Sequence, residues 1–259
     1  MIKLHKRPIA EPPAGPPEWT VPDWPGKTKE QAVQRMFTGI ARFYDLNNTL
    51  LSFGLHHRWK LSAATHVPTL PDGRLIDIGA GTADLALLLE KRVGPGGHVV
   101  AVDLNAAMLQ EGQRKIMRRG LSGRVRCLRS NAEWLGFSDA SFDAAIAGFC
   151  IRNVANLMRA LTEIRRVLKP GGCFVCLEFS KPARAWLLRL YDWYSFRLLP
   201  WIGTTVSGDR TGVYRYLPDS IRVFPDQEQL SQLLGEAGFQ HVEYQNLSGG
   251  IVAIHIATK

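Results

Sequence analysis

Polar residues in the first half of the chain have the types and spacing of a nucleoside-binding site. A glycine-containing turn, residues 77–84 (DIGAGTAD), follows an apolar strand and opens a helix. Its glycines allow a tight bend and a close approach of a ligand to the backbone. Asp103 ends the next apolar run, 24 residues after Gly79, where a carboxylate can accept both hydroxyls of a ribose. This spacing predicts a nucleoside-containing cofactor. The site residues that we predict here are Asp77, Gly79, Gly81, Thr82, Asp103 and Leu104.

The residue types favour S-adenosylmethionine over a dinucleotide. A dinucleotide turn has a third glycine beside the pyrophosphate, and Asp84 holds that position here. S-adenosylmethionine has no phosphate and carries positive charge, so we expect acids to suit it better. Asn131 and Ala132 follow the third predicted strand, placed to contact the adenine. Each residue also has a purely structural interpretation: the glycines as turn formers, Asp103 as a helix N-cap and Asn131 as a turn former.

Strands and helices alternate around these residues. The predicted strands cover residues 75–78, 99–102, 124–128, 144–149 and 173–179, and the predicted helices between them cover 82–91, 106–119 and about 156–168. This alternation predicts an α/β fold with a mostly parallel, Rossmann-like sheet covered by helices on both faces. Open parallel sheets bind ligands at the carboxyl ends of their strands, where the predicted site residues fall.

Three segments differ from this alternation. Residues 1–28 hold seven of the fifteen prolines and predict a poorly ordered arm, which Trp19 and Trp24 could hold against the body of the protein. Residues 29–259 then form a single domain, which begins with helical spacing over 29–51. An aromatic and basic insertion occupies about 181–222, before a helix at 226–237 and strands at 240–247 and 250–258.

The composition excludes several classes of protein. The 259 residues are 46% hydrophobic and 21% charged, which indicates a globular chain rather than a disordered or fibrous one. No apolar run is long enough to cross a membrane, and the N-terminus lacks the apolar core of a signal peptide, so we expect a cytoplasmic protein. The net charge of +9 indicates a nucleic acid, an anionic membrane or an acidic substrate as partner. Cys173 and Cys176 form a CxxC within an apolar run, which favours core packing over a metal site.

Two long segments resemble signatures of the ubiquinone/menaquinone biosynthesis C-methyltransferases. They are residues 44–59 (YDLNNTLLSFGLHHRW) and 166–180 (RVLKPGGCFVCLEFS). Shorter segments that are similar to the same family are 131–133, 141–143, 151–154, 216–221 and 250–255. The resemblance covers about residues 33–259. It implies methyl transfer from S-adenosylmethionine to a ring carbon of a polyprenyl quinol, with cofactor contacts at Thr82, Asp103, Asn131 and Ala132.

The chain departs from the family pattern at a few positions. Asn47 stands where the family has Met, and Gly148 stands where a Ser near the cofactor is expected. The glycine turn is also closer to the general methyltransferase form. These departures leave the ring type, naphthoquinol or benzoquinol, open; prenyl length and oligomeric state, homodimer included, are open as well.

The chemistry of the reaction points to three catalytic candidates. Ionising a ring hydroxyl with a pKa of about 10 at pH 7 costs roughly 4 kcal/mol, and a nearby cation lowers that cost. Arg152 follows the fourth strand and is the leading cation. It cannot accept the proton, but a water held by Arg152, Asn153 and Tyr44 could, as similar proposals for the family suggest. The alternatives are that Arg152 bridges surface carboxylates, that Asn153 caps the next helix and that Tyr44 packs in the core.

Rival functions are distinguished by motifs. Pyrimidine C5-methyltransferases use a Pro-Cys nucleophile, and adenine amino-methyltransferases have an Asn/Asp-Pro-Pro-aromatic turn; the chain has neither, which argues against nucleic acid. A methyltransferase of another small-molecule pathway (sterol, tocopherol or natural product) is the alternative function. A nicotinamide-dependent enzyme and a non-catalytic binder are less favoured classes. His56 and His57 are adjacent, so we interpret them as structural or substrate-lining rather than metal ligands.

Two segments predict a peripheral location at the inner face of an anionic membrane. Residues 183–202 interleave Trp, Tyr and Leu with arginines, as at a bilayer interface, although a lid over the active site is an equal alternative. Residues 112–129 carry seven basic residues and no acid. Arg114, Lys115, Arg118 and Arg119 are expected to share one helix face there, solvated or docked on lipid.

Overall fold

A computed structural model of the protein describes residues 28–182, 184–198 and 213–259. The predicted N-terminal arm lies outside the described residues except for Thr28, as do Trp19, Trp24 and residues 199–212 of the predicted insertion. Among the described residues, no helix is long and apolar enough to span a membrane.

One seven-stranded sheet organises the chain. Its strands are β1 Arg74–Ile78, β2 His98–Asp103, β3 Val125–Arg129, β4 Phe142–Gly148, β5 Leu168–Phe179, β6 Gln240–Leu247 and β7 Val252–Thr258. The order is β3-β2-β1-β4-β5-β7-β6, in which the first five strands are parallel and β7 pairs antiparallel with β5 and β6. The predicted fold class is confirmed. The strand order reverses between β1 and β4, and ligands bind at such a point in α/β sheets.

Nine α-helices connect and flank these strands in the described residues. They are α1 Lys29–Ile40, α2 Tyr44–Leu51, α3 Leu55–His66, α4 Asp84–Leu89, α5 Ala106–Arg118, α6 Leu157–Val167, α7 Ala185–Trp193, α8 Val213–Val223 and α9 Gln227–Glu236. Short 3-10 turns cover Ala41–Phe43, Glu90–Arg92, Ile151–Asn153 and Ser248–Gly250, and a π-helical turn covers Tyr194–Leu198. The predicted insertion therefore contains α7, the π-helical turn and most of α8.

Two apolar cores lie on opposite faces of the sheet. Successive strand residues point to opposite faces, so Leu75 packs with α3 and α4 while Ile76 packs with α6 and α9. The CxxC follows the same rule, because residues three apart on a strand face opposite ways. Cys173 packs against the first core and Cys176 lies in the second, as core packing predicts.

A third, smaller core joins the helices at the carboxyl ends of the strands. Val33, Met36 and Ile40 of α1 pack with Val213 and Tyr216 of α8, and partly buried side chains of α2 and the π-helical turn lie against them. We call α1, α2, α7, the π-helical turn and α8 the cap. The cap covers the edge of the sheet at which the predicted site residues lie.

Several element boundaries differ from the prediction by a few residues, and two of these differences have a clear local cause. The helix after the glycine turn begins at Asp84 rather than Thr82, because Ala83 has a left-handed backbone (φ +62°) that extends the turn. Strand β5 begins at Leu168, where Leu168 pairs with Phe142 before the register shifts at Lys169–Gly172. The predicted end of α6 at this segment still holds, since α6 stops at Val167.

Candidate active site

A cavity of about 110 Å³ lies at the carboxyl ends of β1, β2 and β4. It brings together seven of the predicted cofactor residues, which come from four separate segments of the chain. They are Gly79, Gly81, Asp103, Leu104, Asn131, Ala132 and Gly148. Helix α1 contributes Glu30, Val33, Gln34 and Phe37 to the same lining. We call this space the cofactor cavity.

The glycine turn is fixed by backbone geometry and by close packing. Gly79 and Gly81 have φ of +65° and +53°, the left-handed region that favours glycine. A Cβ on Gly79 would lie 2.3 Å from the Cβ of Cys150, whose thiol donates to the carbonyl of Ile78. The loop after β4 therefore closes over the turn, and only glycine fits at position 79.

Asp103 is held in place by the turn that it faces. One carboxylate oxygen accepts from the backbone N–H of Gly81 at 2.8 Å, and the other accepts from Asn105 at 2.7 Å. Burial raises the pKa of this carboxyl. The N-cap of α5 is Asn105, whose side chain accepts from Met108, so the helix-cap interpretation of Asp103 is wrong. The carboxylate keeps acceptor capacity toward the cavity, which fits the hydroxyls of a ribose.

Glu30 and Lys29, which the sequence did not indicate as site residues, fix helix α1 over this cavity by hydrogen bonds. Asn131 Nδ2 donates to Glu30 at 3.1 Å, across the cavity lining. Lys29 Nζ donates to the carbonyls of Arg152 and Val154 at 2.9 and 2.7 Å. Burial and the nearby Arg152 lower the pKa of Lys29 to about 8. Helix α1 is thus a wall of the cofactor cavity.

Two of the predicted cofactor residues, Asp77 and Thr82, do not line this cavity. Asp77 is fully buried below the turn, where it accepts from the N–H of Ala86, and burial raises its pKa to about 7. The Thr82 hydroxyl donates to Asp45 at 2.6 Å and accepts from Lys115 at 2.9 Å. Both side chains therefore support the glycine turn from positions outside the cofactor cavity.

Asp84 does not face the cofactor, contrary to the prediction from its place in the glycine turn. Its carboxylate does not line the cofactor cavity but binds Lys60 at 2.8 Å and Lys115 at 2.6 Å. Although burial opposes it, these two ammonium groups lower the pKa of Asp84 well below the usual range. Since the charge is compensated, Asp84 neither attracts a cationic cofactor nor repels a pyrophosphate.

The same contacts change the predicted basic face of α5. Lys115 binds Asp45 and Asp84 with a side chain that is only 16% exposed, so it does not belong to a solvated face with Arg118 and Arg119. Arg124 likewise binds Glu90 and nearby backbone carbonyls. The basic patch predicted over 112–129 therefore has fewer uncompensated charges than its seven basic residues suggest.

A second cavity of about 490 Å³ lies beside the first, under the cap. Its lining is mostly apolar and aromatic, with side chains from α1, α2, α3, α7, α8 and the ends of β4 and β5. The polar side chains in the lining are Asn47, Asn48, Ser52, His56, Lys60, Arg152 and Asn153. Such a space suits a ring compound with an apolar substituent. We call it the apolar cavity.

Arg152 lies inside the protein, in an ion pair with Glu178 of β5. Arg152 Nη1 donates to Glu178 and to the carbonyl of Phe149, and the Arg152 and Glu178 side chains are 5% and 1% exposed. The alternative that Arg152 bridges surface carboxylates is therefore wrong. Its Nε is buried and has no hydrogen-bond partner within the described part of the chain.

Asn153 and Tyr44 lie close to this pair. Asn153 accepts a hydrogen bond from the hydroxyl of Tyr216 at 3.2 Å, while α6 is capped by Asn156, so the helix-cap alternative for Asn153 is wrong. Burial raises the pKa of Tyr44 and, to about 12, the pKa of Tyr216. Glu178 and Tyr216 fall within the quoted family segments, but no local pattern indicated their partners.

The two cavities share a wall. Phe37, Tyr44, Phe149 and Asn153 line both of them. Two of the three predicted catalytic residues thus stand where a ligand in one cavity meets a ligand in the other, and Arg152 lines the apolar side. This arrangement can bring two bound molecules into contact while side chains of the cap surround them.

The parallel sheet, the glycine turn and the acid at the end of β2 define a class I S-adenosylmethionine-dependent methyltransferase. The family model of the ubiE/COQ5 methyltransferases matches residues 26–259, nearly the whole chain. The chain belongs to this family, and S-adenosylmethionine is its methyl donor.

Curated relatives cover most of the chain. It is 43% identical over 235 residues to the ubiquinone/menaquinone biosynthesis C-methyltransferase UbiE of Francisella philomiragia, covering 91% of this chain and 94% of the relative. The same-named proteins of Legionella pneumophila (strain Paris) and Coxiella burnetii are 44% and 45% identical, covering 92% and 89% of this chain and 94% and 92% of theirs. The resemblance to quinone-biosynthesis C-methyltransferases is confirmed.

Solved structures of low identity share the fold. The [4+2]-cyclase SpnF is 20% identical with a TM-score of 0.67, covering 90% of this chain and 97% of that one. A SAM-dependent methyltransferase of Thermotoga maritima is 20% identical with a TM-score of 0.60, covering 90% and 100%. Since one neighbour is a cyclase, the fold alone does not define the reaction, which depends on the residues of the site.

Proposed function

We propose that the protein transfers a methyl group from S-adenosylmethionine to a ring carbon of a polyprenyl quinol. The observation that supports this most is the pair of cavities with a shared wall. The polar one suits a nucleoside, and the apolar one, about 490 Å³, suits a quinol ring and the first part of a prenyl chain.

Different residues of the cofactor cavity would contact different parts of the methyl donor. Asp103 would accept the ribose hydroxyls, Asn131 and Ala132 would border the adenine, and the backbone at Gly79 and Gly81 would allow close contact. Leu104 and Gly148 complete the lining. Asp77 and Thr82 act indirectly, by holding the turn. When bound, S-adenosylmethionine supplies an electrophilic methyl group.

Arg152, Asn153 and Tyr44 would act on the quinol. A ring carbon becomes a good nucleophile when the neighbouring hydroxyl loses its proton, at a cost of roughly 4 kcal/mol at pH 7. Because Glu178 compensates the charge of Arg152, the guanidinium contributes mainly hydrogen bonds. Its unpartnered Nε is a donor for the ring oxygen. A water held by these three residues remains our proposed proton acceptor.

The mouth of the apolar cavity carries exposed apolar side chains, and we propose that it docks on an anionic bilayer. Phe53, Leu190 and Trp193 line the cavity and are 76%, 54% and 59% exposed. Leu46, Leu50 and Trp186 on the neighbouring helices are also exposed, and so are Arg184, Arg189 and Arg197. Aromatic and basic residues together suit a lipid interface, from which a prenyl chain could enter.

The transfer of a labelled methyl group can be measured with two acceptors, a short-chain demethylmenaquinol and the benzoquinol precursor. The comparison tests both the reaction and the ring type. Arg152→Ala should bind S-adenosylhomocysteine normally and lose at least 100-fold in turnover. Arg126→Ala, an exposed arginine on β3, is the matched control and should behave as the unmodified protein. Unchanged turnover in Arg152→Ala, or no transfer to either quinol, would contradict the proposal.

A further inference from the structure

His56 is a buried side chain of the apolar cavity that the mechanism above does not use. It lies in the first turn of α3, is 3% exposed and lines the cavity beside Lys60. Its Nε2 is 3.0 Å from the hydroxyl oxygen of Thr49. Its Nδ1 is buried and has no hydrogen-bond partner within the residues that the structure describes.

The contacts of Thr49 fix which nitrogen carries the proton. The Thr49 hydroxyl donates its single hydrogen to the backbone carbonyl of Asp45 at 2.8 Å, and a carbonyl can only accept. Thr49 Oγ1 is then an acceptor toward His56, so Nε2 of His56 is the protonated nitrogen. Burial and the positive charge of Lys60 lower the pKa of His56 to about 4, which keeps the ring neutral. Nδ1 is therefore a bare acceptor.

A buried acceptor without a partner is unfavourable and calls for a donor. The charged side chains of the cavity, Lys60 and Arg152, can only donate hydrogen bonds. They can bind the oxygen of a quinol or of a quinone equally well. A bare imidazole nitrogen differs from them, because it bonds to a hydroxyl hydrogen and repels the lone pairs of a quinone carbonyl.

We propose that Nδ1 of His56 accepts a hydrogen bond from a ring hydroxyl and makes the cavity select the quinol over the quinone. This inference rests on the proposed function, since it takes the apolar cavity as the quinol site. The selection has a chemical purpose. Only the reduced ring is electron-rich enough to attack a methyl group, so a bound quinone would form an unproductive complex.

His56→Gln tests this assignment. A glutamine amide reaches the position of Nε2 and can still donate to Thr49, but it places no acceptor at Nδ1. The full chain, loaded with S-adenosylhomocysteine, is titrated without oxygen with short-prenyl demethylmenaquinol and with the matching quinone. Quenching of tryptophan fluorescence reports binding, because Trp59 lines the cavity. We expect the unmodified protein to bind the quinol about tenfold more tightly than the quinone.

In His56→Gln we expect about tenfold weaker quinol binding with quinone binding unchanged, so that the ratio approaches one. His56→Asn is the second variant, in case the first does not fold. Its amide stands near Nδ1 and can donate as well as accept, so the ratio should fall because quinone binding improves. His57→Gln, the exposed neighbour that also lies near Thr49, should keep the original ratio.

Several results would overturn the inference. They are equal weakening of quinol and quinone, no change in either, or no preference in the unmodified protein. Binding of neither ring by the unmodified protein would contradict the proposed function itself. S-adenosylhomocysteine affinity, which should not change in any variant, confirms that the cofactor cavity is intact.

Discussion

Arg152 and Glu178 form an ion pair that is almost closed to solvent, at the edge of the sheet where the quinol is proposed to bind. Glu178 also accepts from the backbone N–H groups of Arg152 and Phe179. The carboxylate thereby orients the guanidinium and ties the turn after β4 to the end of β5. A cation placed in this way presents its remaining donors in a fixed direction.

Removal of Glu178 should cost far more stability than removal of an exposed acid. In Glu178→Ala the guanidinium of Arg152 stays buried without its counter-ion, so we expect the free energy of unfolding to fall by about 3–5 kcal/mol. Glu243→Ala, an exposed acid on β6, should change it by less than about 0.5 kcal/mol. Urea unfolding of the two variants measures this difference. Similar small losses of unfolding free energy in both variants would show that the ion pair of Arg152 and Glu178 contributes little to stability.

Lys115 should behave as a buried cation although it lies on an amphipathic surface helix. Lys115→Met leaves the carboxylates of Asp45 and Asp84 without the ammonium that binds both, and we expect a loss of about 2–4 kcal/mol. Arg118→Met, on an exposed position of the same helix, should be nearly neutral. Thermal unfolding of both variants checks this contrast, and equal melting temperatures would contradict it.

Gly79 and Gly120 allow backbone strain to be separated from crowding. Both have positive φ (+65° and +70°), but only at Gly79 would a Cβ meet Cys150, since nothing lies within 4 Å at Gly120. We expect Gly120→Ala to lose about 1 kcal/mol of stability and Gly79→Ala to lose more, together with cofactor affinity.

The double variant Gly79→Ala, Cys150→Gly removes the close contact and should recover part of the S-adenosylhomocysteine affinity, measured by calorimetry. If the double variant recovers none of this affinity, the conformation of the turn alone decides binding.

The pKa of His56 predicts a pH dependence of stability. The folded-state value is about 4, while an unfolded histidine titrates near 6.5. Between these pH values the unfolded chain binds more protons, so the free energy of unfolding increases as pH rises from 4 to 6.5. The contribution is fully present above 6.5 and amounts to about 3 kcal/mol.

Asp77 acts in the opposite direction, because its folded pKa of about 7 lies above the unfolded value. The difference between the unmodified protein and His56→Gln isolates the histidine. Parallel stability curves for the two proteins over pH 4–6.5 would contradict the assignment of a neutral ring.

Membrane docking should depend on the aromatic side chains at the cavity mouth. Phe53→Ser with Trp193→Ser removes two exposed apolar side chains that line the mouth, and co-sedimentation with anionic vesicles should fall about tenfold or more. Trp134→Ser, an equally exposed tryptophan outside both cavity linings, is the control. Vesicle binding that is equal in all three proteins, or absent from the unmodified one, would remove the membrane proposal.

The parts that could be predicted from the sequence are those that local pattern determines. Apolar runs that end at Gly79 and Asp103 predicted the strands and the edge of the sheet, because the carboxyl ends of parallel strands meet there. Glu30 could not be found in this way. It reaches Asn131 across 101 residues of sequence, and no periodicity of α1 marks it as part of a site.

Charge patterns were the weakest guide. The sequence of α5 places Lys115 among solvated basic residues, and Asp84 appears free to face a ligand. Each is instead the partner of the other, with Lys60 and Asp45 on either side. Which charges are compensated depends on how α2, α3 and α5 pack, and that is set by tertiary contacts rather than by residue spacing.

Helix α1 lines both cavities, so we expect it to couple the binding of the two molecules. Its residues close the cofactor cavity, and Phe37 borders the apolar cavity as well. Any displacement of α1 that admits one molecule therefore alters the surface offered to the other. Coupling of this kind is reciprocal: whatever factor the nucleoside contributes to quinol affinity, the quinol must return to the nucleoside. We therefore expect the exchange of spent for fresh methyl donor to depend on whether the apolar cavity is occupied.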